Sequence, residues 1–407
     1  MEGIKLIDGG ICAPKGFKAN GIHCGIRKNR SKRDVALIYS DVLCSSSAVY
    51  TTNLVKGAPL IVTKNHLSDG KAQAVIVNSG NANTCNDNGI EIAEAMCELV
   101  AKELNINIDN VLVGSTGVIG QKLDITPIQK GIKELVDGLG YDNSKLAAEA
   151  IMTTDTKMKN IAVEFKINDK VCRIGGIAKG SGMIHPDMAT MLVFITTDCS
   201  INSNMLNKAL KNDIANTFNM VSVDGDTSTN DMVILLANGL AGNKEITSEG
   251  EEFEIFMKAL NTVTVQLCKE LAGDGEGATK LLECNVSGAS TLDIAKKVAK
   301  SVICSSLTKA AMFGADANWG RILCAIGYSK TPVDVNKVEV SFKSNKGTIT
   351  VCQNGAGIDF SEEKAKEILL EKEIEILINL NDGDFSSKAW GCDLTYDYVK
   401  INGDYRT

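Results

Sequence analysis

Lys179-Gly-Ser-Gly-Met-Ile-His-Pro-Asp-Met-Ala-Thr190-Met-Leu-Val-Phe-Ile195 is a stretch whose two halves follow different rules. Two glycines and a proline break its first half, which is therefore predicted to be an irregular loop. Its second half, Met191 to Ile195, is continuously apolar and rich in β-branched and aromatic residues, as expected of a buried strand. The halves meet at Ala189 and Thr190. The sequence thus predicts a loop that delivers Thr190 to the end of a buried strand.

A threonine in this position holds its hydroxyl in a fixed place, as a nucleophile requires. If the bond between Ala189 and Thr190 were cut, Thr190 would gain a free amino group with a pKa of about 7.7–8.0, suited to a general base. The hydroxyl could also cut the chain itself, by attacking the Ala189 carbonyl to form an ester that water opens. Threonines between loops and strands are mostly structural, however, and the residues alone favour that interpretation.

The composition of the chain limits the classes of partner and the cellular location that we expect. The chain has 407 residues, 44% of them apolar and 23% charged, with a net charge of −7, which is typical of a globular protein and disfavours nucleic acid as a partner. No apolar run approaches the roughly 20 residues that span a membrane, and the first residues do not resemble a secretory signal. Thirteen cysteines without a C-x-x-C pair indicate reduced thiols. We therefore expect a cytoplasmic protein that does not enter membranes.

Four polar or glycine-rich loops follow apolar segments or helices. The run Val111–Gly120 resembles a strand that enters a glycine-rich loop, either a simple turn or a set of backbone N–H groups that face an anion. Asparagines of the loop 78–89 could cap the helix that follows or hold polar ligands, and capping is the expectation. The polar run 224–230 is expected to be a solvated turn, since it lacks the spacing of a calcium loop. Glu276 is flanked by glycines, and the residues alone favour a solvated surface carboxylate.

Two motifs of the opening stretch resemble a known family. Lys179-Gly-Ser-Gly-Met and Met188-Ala-Thr-Met-Leu are similar to the processing site of the ornithine acetyltransferase (glutamate N-acetyltransferase) family of arginine biosynthesis, and the likeness extends from Gly9 to Thr407. It implies self-cleavage between Ala189 and Thr190 into fragments 1–189 and 190–407. Thr190 would then be the nucleophile, with its free amine as the base.

The resemblance also assigns the remaining site residues. Thr116, through its hydroxyl, and Gly117, through its backbone N–H, match the oxyanion hole of the family. The implied substrate-binding residues are Thr153, Lys179, Thr190, Glu276, Asn402 and Thr407. The charges suit an N-acylated amino acid, because Lys179 can pair with its carboxylate and Glu276 with the side-chain ammonium of ornithine.

For the fold, the resemblance implies an αββα sandwich with a smaller C-terminal α+β lobe. The alternation of strand and helix patterns after residue 280 places the boundary there, with a catalytic core at 1–280 and a lobe at 281–407. The tail of that lobe is expected to return to the active site, because Asn402 and Thr407 match substrate contacts of the family.

The implied reaction is acetyl exchange from N-acetylornithine to glutamate through an acetyl-Thr190 enzyme, with ping-pong kinetics. No metal or organic cofactor is expected, and acetyl-coenzyme A is a possible second substrate if the enzyme is bifunctional. The fragments are expected to assemble as an α2β2 heterotetramer. Two alternatives stay open at this point: an aminopeptidase or amidohydrolase of the same self-cleaving architecture, and an uncut binding protein without activity.

Overall fold

The computed structural model describes residues 3–185 and 191–403, and both strands and helices occur throughout these residues. The strands are β1 (Lys5–Ile7), β2 (Phe17–Ile22), β3 (Val35–Tyr50), β4 (Lys71–Asn78), β5 (Val111–Ser115), β6 (Lys159–Ile167), β7 (Lys170–Lys179), β8 (Leu192–Thr197), β9 (Val221–Ser222), β10 (Met232–Ala237), β11 (Leu281–Ala289), β12 (Glu339–Ser344), β13 (Gly347–Gln353), β14 (Ala356–Gly357), β15 (Glu373–Asn379) and β16 (Phe385–Cys392). The helices are α1 (Ala58–His66), α2 (Gly89–Leu104), α3 (Thr126–Asp137), α4 (Ser144–Ile151), α5 (Ser203–Ile214), α6 (Glu251–Gly273), α7 (Leu292–Cys304), α8 (Ser306–Phe313), α9 (Trp319–Gly327), α10 (Glu362–Leu369) and α11 (Tyr396–Gly403).

The larger sheet has nine strands in the order β1-β6-β7-β8-β10-β3-β4-β5, with β2 paired to β3 as well. Strand β3 is 16 residues long and changes partners along its length. Its first part pairs with β2 and β4, and its last six residues pair with β10. The register of β3 against β4 shifts between Tyr39 and Cys44. A long strand with such an irregularity can bend, and β3 therefore links two halves of one sheet.

The two halves of the large sheet face each other across a shared core. Ile38 and Val77 from the β2–β5 half lie in one hydrophobic cluster with Phe194 and Ile234 from the other half. A second cluster joins the outer face of the β2–β5 half to helices α2 and α3, and a third joins the opposite outer face to α5 and α6. The layers are thus helix, sheet, sheet, helix, and the predicted αββα sandwich is confirmed.

Strand β8 lies in the middle of this sheet, and all six of its residues are buried, which confirms the predicted buried strand. It pairs antiparallel with β7 and parallel with β10. Strands β8 and β10 follow residue 190 in the chain, yet the strands on either side of them, β7 and β3, precede it. Segments from before and after residue 190 are therefore interleaved within a single sheet.

The second sheet has seven strands in the order β14-β13-β12-β15-β11-β16-β9. Six of them lie between Leu281 and Cys392, and the short edge strand β9 comes from much earlier in the chain. One hydrophobic cluster runs from β8 through α6 into this sheet. The smaller α+β lobe is thus present, whereas a domain boundary at residue 280 stays a prediction. In residues 3–185 and 191–403, no helix is long and apolar enough to cross a membrane.

Candidate active site

A cavity of about 330 Å³ opens at the ends of β5, β7 and β8, and it gathers most of the predicted site residues. The residues that line it are Ala82, Thr116, Gly117, Val118, Ile119, Thr153, Thr154, Lys179, Gly182, Met183, Met191, Leu192, Ser228, Thr229, Asn230, Asp231, Glu276 and Asn402. Its volume is in the range of small-molecule sites. Residues separated by as many as 320 positions in the sequence thus meet in one cavity.

Three of the predicted residues lie outside the described part of the chain: Ala189, Thr190 and Thr407. Met191 and Leu192, which follow Thr190 directly in the sequence, line the cavity. The roles assigned to these three residues stay predictions.

The loop that carries Thr116 and Gly117 is pinned to the asparagine-rich loop after β4. The Thr116 backbone N–H donates to the Asn78 carbonyl at 2.9 Å, and the Asn78 side chain donates to the Ser115 hydroxyl at 2.7 Å. Asn81 pairs with Val118 through an isolated β-bridge. The asparagines were expected to cap α2, but the capping residue of that helix makes no side-chain cap. That expectation is wrong, because these amides instead satisfy backbone groups beside the cavity.

Gly117 has a φ of +130°, a conformation that side chains disfavour. A Cβ atom there would lie 2.8 Å from the Asn81 nitrogen and 2.9 Å from the Gly80 carbonyl carbon. Both are backbone atoms and cannot turn aside. The close approach of the two loops therefore requires glycine at this position.

Behind the cavity, Lys159 lies between two carboxylates. Its ammonium is 2.7 Å from Asp155 and 2.6 Å from Asp274, and all three side chains are buried. Burial opposes ionisation of Asp155, but the charges of Lys159 and Lys179 prevail and hold the pKa of that carboxyl well below its usual value. Asp155 also accepts from the backbone N–H groups of Gly180, at 2.7 Å, and Thr153, at 3.0 Å.

The other end of this ion-pair network holds the loop of Glu276. Asp274 accepts from the Thr156 backbone N–H at 3.1 Å, and its own carbonyl accepts from the Ser181 hydroxyl at 2.6 Å. The network thus connects three segments that line the cavity: the loop before β6, the end of β7 and the loop after α6. These residues were not anticipated from the sequence, since nothing in their spacing marks them as partners.

Glu276 is only 7% exposed, so the solvated carboxylate is the wrong alternative. Its backbone N–H donates to the Ser181 carbonyl at 2.9 Å, and one of its carboxylate oxygens accepts from the Asn402 amide at 2.7 Å. A Cβ atom on Gly182 would overlap the Glu276 carboxylate. Directly before α11, the Thr395 hydroxyl donates to the Gly277 carbonyl of this loop at 2.7 Å. Glu276 and Asn402 therefore face the cavity as a hydrogen-bonded pair.

The polar run 224–230 was expected to be a solvated turn, and this is wrong for its last two residues. Thr229 and Asn230 are buried and line the cavity, as does Asp231, which follows the run. The Asn230 amide donates to the Ser115 carbonyl at 3.0 Å and accepts from the Thr84 hydroxyl at 2.6 Å. Their position in the sequence could have predicted this result. Polar residues directly before a buried strand lie at the end of the sheet, where the cavity opens.

Among the described residues, no group of three His, Cys, Asp or Glu side chains is arranged to hold a metal ion. All thirteen cysteines lie in that part of the chain and are free thiols. The polar groups in the cavity are thus hydroxyls, amides, two carboxylates and one ammonium. Such a set suits a small zwitterionic or charged organic molecule.

The chain is similar to the proteins of one known family. The model of the ArgJ family matches residues 18–407. The arginine biosynthesis bifunctional protein ArgJ of Caldanaerobacter subterraneus is 51% identical over 405 residues, which cover 99% of this chain and 100% of that protein. ArgJ 1 of Clostridium acetobutylicum is also 51% identical, over the full length of both chains. A solved chain of the Bacillus halodurans protein is 45% identical with a TM-score of 0.50, and the match covers 53% of this chain and 98% of that one.

Proposed function

This chain belongs to the ArgJ family, and on that premise we propose that it is a glutamate N-acetyltransferase that moves an acetyl group from N-acetylornithine to glutamate. The observation that carries the proposal is the single cavity in which Thr116, Gly117, Lys179 and Glu276 lie beside Met191. Thr116 and Gly117 would donate to an oxyanion, Lys179 would bind a carboxylate and Glu276 would bind an ammonium. All four lie in the cavity with Met191, the residue that follows the predicted nucleophile.

In the proposed first half-reaction, the Thr190 hydroxyl oxygen attacks the acetyl carbonyl and the Thr190 amine accepts the hydroxyl proton. The Thr116 hydroxyl and the Gly117 backbone N–H donate to the oxyanion that forms. The amine then returns the proton to the nitrogen of ornithine, which leaves, and Thr190 stays acetylated. In the second half-reaction, the amine of glutamate attacks this ester and carries the acetyl group away.

The charges in the cavity support this choice of donor. Burial lowers the pKa of Lys179, while the nearby carboxylates of Asp155, Asp231 and Glu276 oppose that shift and favour the charged ammonium. A cation in a site of low polarity binds a substrate carboxylate strongly. Glu276 offers the opposite charge to the side-chain ammonium of N-acetylornithine. The two charged ends of the donor thus find complementary partners.

We extend the proposal to the assembly and to a second activity. The relatives are named bifunctional, and we propose acetyl-coenzyme A as an alternative acetyl donor, with no metal or organic cofactor required. We also propose self-cleavage before Thr190, an α2β2 heterotetramer and a cytoplasmic location. The solved Bacillus halodurans chain matches 53% of this chain, close to the share that residues 190–407 make up, which supports cleavage.

The reaction is tested by separating its halves. With N-acetylornithine and no glutamate, one equivalent of ornithine should be released and one acetyl group should appear on the fragment that begins at Thr190. Added glutamate should then remove that acetyl group as N-acetylglutamate. Steady release of acetate without glutamate would instead identify the amidohydrolase, the alternative that the curated relatives do not favour.

Replacing Glu276 by Gln should weaken recognition of the donor while chain cleavage stays intact. Loss of one charged hydrogen bond is expected to raise the KM for N-acetylornithine roughly 10-fold to 100-fold. N-acetylnorvaline, which lacks the terminal ammonium, provides the control substrate. The wild-type enzyme should strongly prefer N-acetylornithine over this analogue, and Glu276→Gln should not. If the preference survives in the variant, Glu276 does not bind the ammonium.

Replacing Gly117 by Ala should push the oxyanion loop away from Asn81, because the new Cβ atom meets backbone. Displacing one oxyanion donor is expected to lower kcat on the order of 10²-fold. Gly120→Ala is the matched control, since Gly120 also has a positive φ, of +78°, but has nothing within 4 Å of its Cβ position. Equal losses of kcat in the two variants would show that backbone strain alone is responsible.

A further inference from the structure

Asp231 is the third charged side chain among the described residues that line the cavity, beside Lys179 and Glu276. It directly precedes β10, in which Met232 pairs with Leu192 of β8. The Met232 backbone N–H donates to the Met191 carbonyl at 3.0 Å. Asp231 therefore lies next to the point at which the chain enters β8 after Thr190, where the acetyl group is proposed to be held.

Asp231 is 4% exposed, and the two oxygens of its carboxyl group have different surroundings. Its side chain is hydrogen-bonded to Ser228, whereas Oδ2 is buried and has no hydrogen-bond partner in residues 3–185 and 191–403. Buried polar atoms are rarely left without a partner, and such an atom calls for an explanation. A free acceptor atom in a substrate cavity is a place for a donor that arrives with the substrate.

The protonation behaviour of this carboxyl fits an acceptor of protons. Burial raises the pKa of Asp231 well above its usual value, while Ser228 and the charge of Lys179 partly oppose the shift. The other charged side chain that lines the cavity, Glu276, already accepts from Asn402. Asp155, further back, is occupied by Lys159. Asp231 is thus the carboxyl with a free oxygen and a raised affinity for a proton.

The second half-reaction needs such a group. Glutamate reaches the acetyl-enzyme with its amine protonated at neutral pH, and an ammonium has no electron pair with which to attack a carbonyl. Its proton must leave before the carbon–nitrogen bond can form. A base whose pKa lies near the working pH is the most effective acceptor of that proton.

We propose that Asp231 is this base: its Oδ2 takes a proton from the ammonium of the acceptor amino acid, and the amine then attacks acetyl-Thr190. This inference rests on the proposed acetyl transfer. The nitrogen electron pair forms the new amide bond, the Thr190 ester bond breaks, and the Thr190 oxygen regains a proton from the attacking nitrogen by way of the Thr190 amine. Asp231 ends the step as a neutral carboxylic acid and passes its proton to water or to the next ornithine amine released.

The test uses Asp231→Asn, which keeps the shape of the side chain but cannot take up the proton. Chain cleavage should be retained, and the ornithine burst should still reach one equivalent at saturating N-acetylornithine, although loss of the charge beside Lys179 is expected to weaken donor binding. Removal of the acetyl group by glutamate at pH 7 should slow on the order of 10²-fold. Hydroxylamine, which is uncharged at this pH and needs no base, should remove the acetyl group at the wild-type rate.

Each outcome separates the alternatives. Equal slowing with glutamate and hydroxylamine, or no slowing with glutamate, would overturn the role of Asp231. Absence of an ornithine burst in the wild-type enzyme would instead refute the proposed function itself. Asp213→Asn is the matched control, because Asp213 is also buried with a raised pKa, caused by burial, but lies outside the cavity. That variant should leave both half-reactions unchanged.

A second measurement does not depend on the variant folding. In the wild-type enzyme, the rate of acetyl removal by glutamate should form a plateau between the pKa of Asp231 and that of the glutamate amine. Without a base on the enzyme, only the rare free amine reacts, and the rate would rise tenfold per pH unit through neutrality. A tenfold rise per unit in the wild-type enzyme would overturn the proposal, and the same rise in Asp231→Asn would support it.

Discussion

Thr190→Ala is expected to remain a single uncut chain of 43.4 kDa and to lose acetyl transfer by a factor on the order of 10⁴ or more. The variant lacks the hydroxyl that is proposed both to cut the chain and to carry the acetyl group. The wild-type protein should instead give two fragments of roughly 20 and 23 kDa, a covalent change that an intact mass spectrum under denaturing conditions resolves.

Thr190→Ser is the matched control for this prediction. Serine keeps the hydroxyl and, once the chain is cut, the free amine, so both cleavage and transfer should persist at a reduced rate. Two fragments from Thr190→Ala, with the usual division before residue 190, would contradict the assignment of Thr190 as nucleophile. They would also exclude an intramolecular attack by this side chain.

Lys159→Met should have the largest effect on stability. Methionine fills a similar volume but leaves the buried Asp155 and Asp274 carboxylates without their cation. Removing one partner of a buried ion pair costs about 3–5 kcal/mol, which would appear at pH 7 as a lower urea midpoint. The loops held by Asp155 and Asp274 also line the cavity, and donor binding should therefore weaken in the same variant.

Two comparisons show whether charge is the cause. Asp274→Asn in the Lys159→Met background should restore part of the stability, because it removes one uncompensated charge. Lys122→Met, which breaks an exposed ion pair with Asp87, should leave the urea midpoint unchanged. A double variant no more stable than Lys159→Met would point to lost packing and contradict the electrostatic explanation.

The pH dependence follows from the depressed pKa of Asp155. Its ionised form stabilises the wild-type protein above the usual aspartate pKa of about 3.9, and this contribution is lost as the pH falls through the lower folded pKa. In Lys159→Met the carboxyl is expected to bind its proton more readily. The difference in unfolding free energy between wild type and variant should therefore be large at pH 7 and narrow as the pH falls below about 4.

Local patterns predicted the elements on either side of the site. The apolar run after Thr190 is the central strand β8, and the strand entering the glycine-rich loop is β5. Those signals lie within a few neighbouring residues and depend on burial alone. The family resemblance added Lys179, Glu276 and Asn402, which the structure brings to one cavity, although sequence spacing gives no reason for them to meet.

Side chains whose significance depends on distant partners were missed. In the sequence, nothing distinguishes Lys159 from other lysines at the start of a strand. Its significance comes from Asp274, which is 115 positions later in the chain and 2.6 Å away in the structure. In the sequence, Asp231 is one acidic residue beside a polar run. Only the fold shows that it is buried near Lys179. A sequence read without an alignment carries no information on such pairs, because burial of a charge is decided by the tertiary fold.

The interleaving of strands around residue 190 determines how a cut subunit would behave. Separating the fragments would strip β8 from β7 and β10 from β3, and so break hydrogen bonds along both sides of the β8–β10 pair. The two fragments of a cut protein would consequently stay associated on dilution, with no measurable equilibrium between free and associated fragments. If two differently labelled preparations were mixed, whole subunits could exchange between oligomers. The two fragments of one subunit would not exchange with those of another. Cleavage would thus change the chemistry of Thr190, while each fragment would stay paired with the fragment made from the same precursor chain.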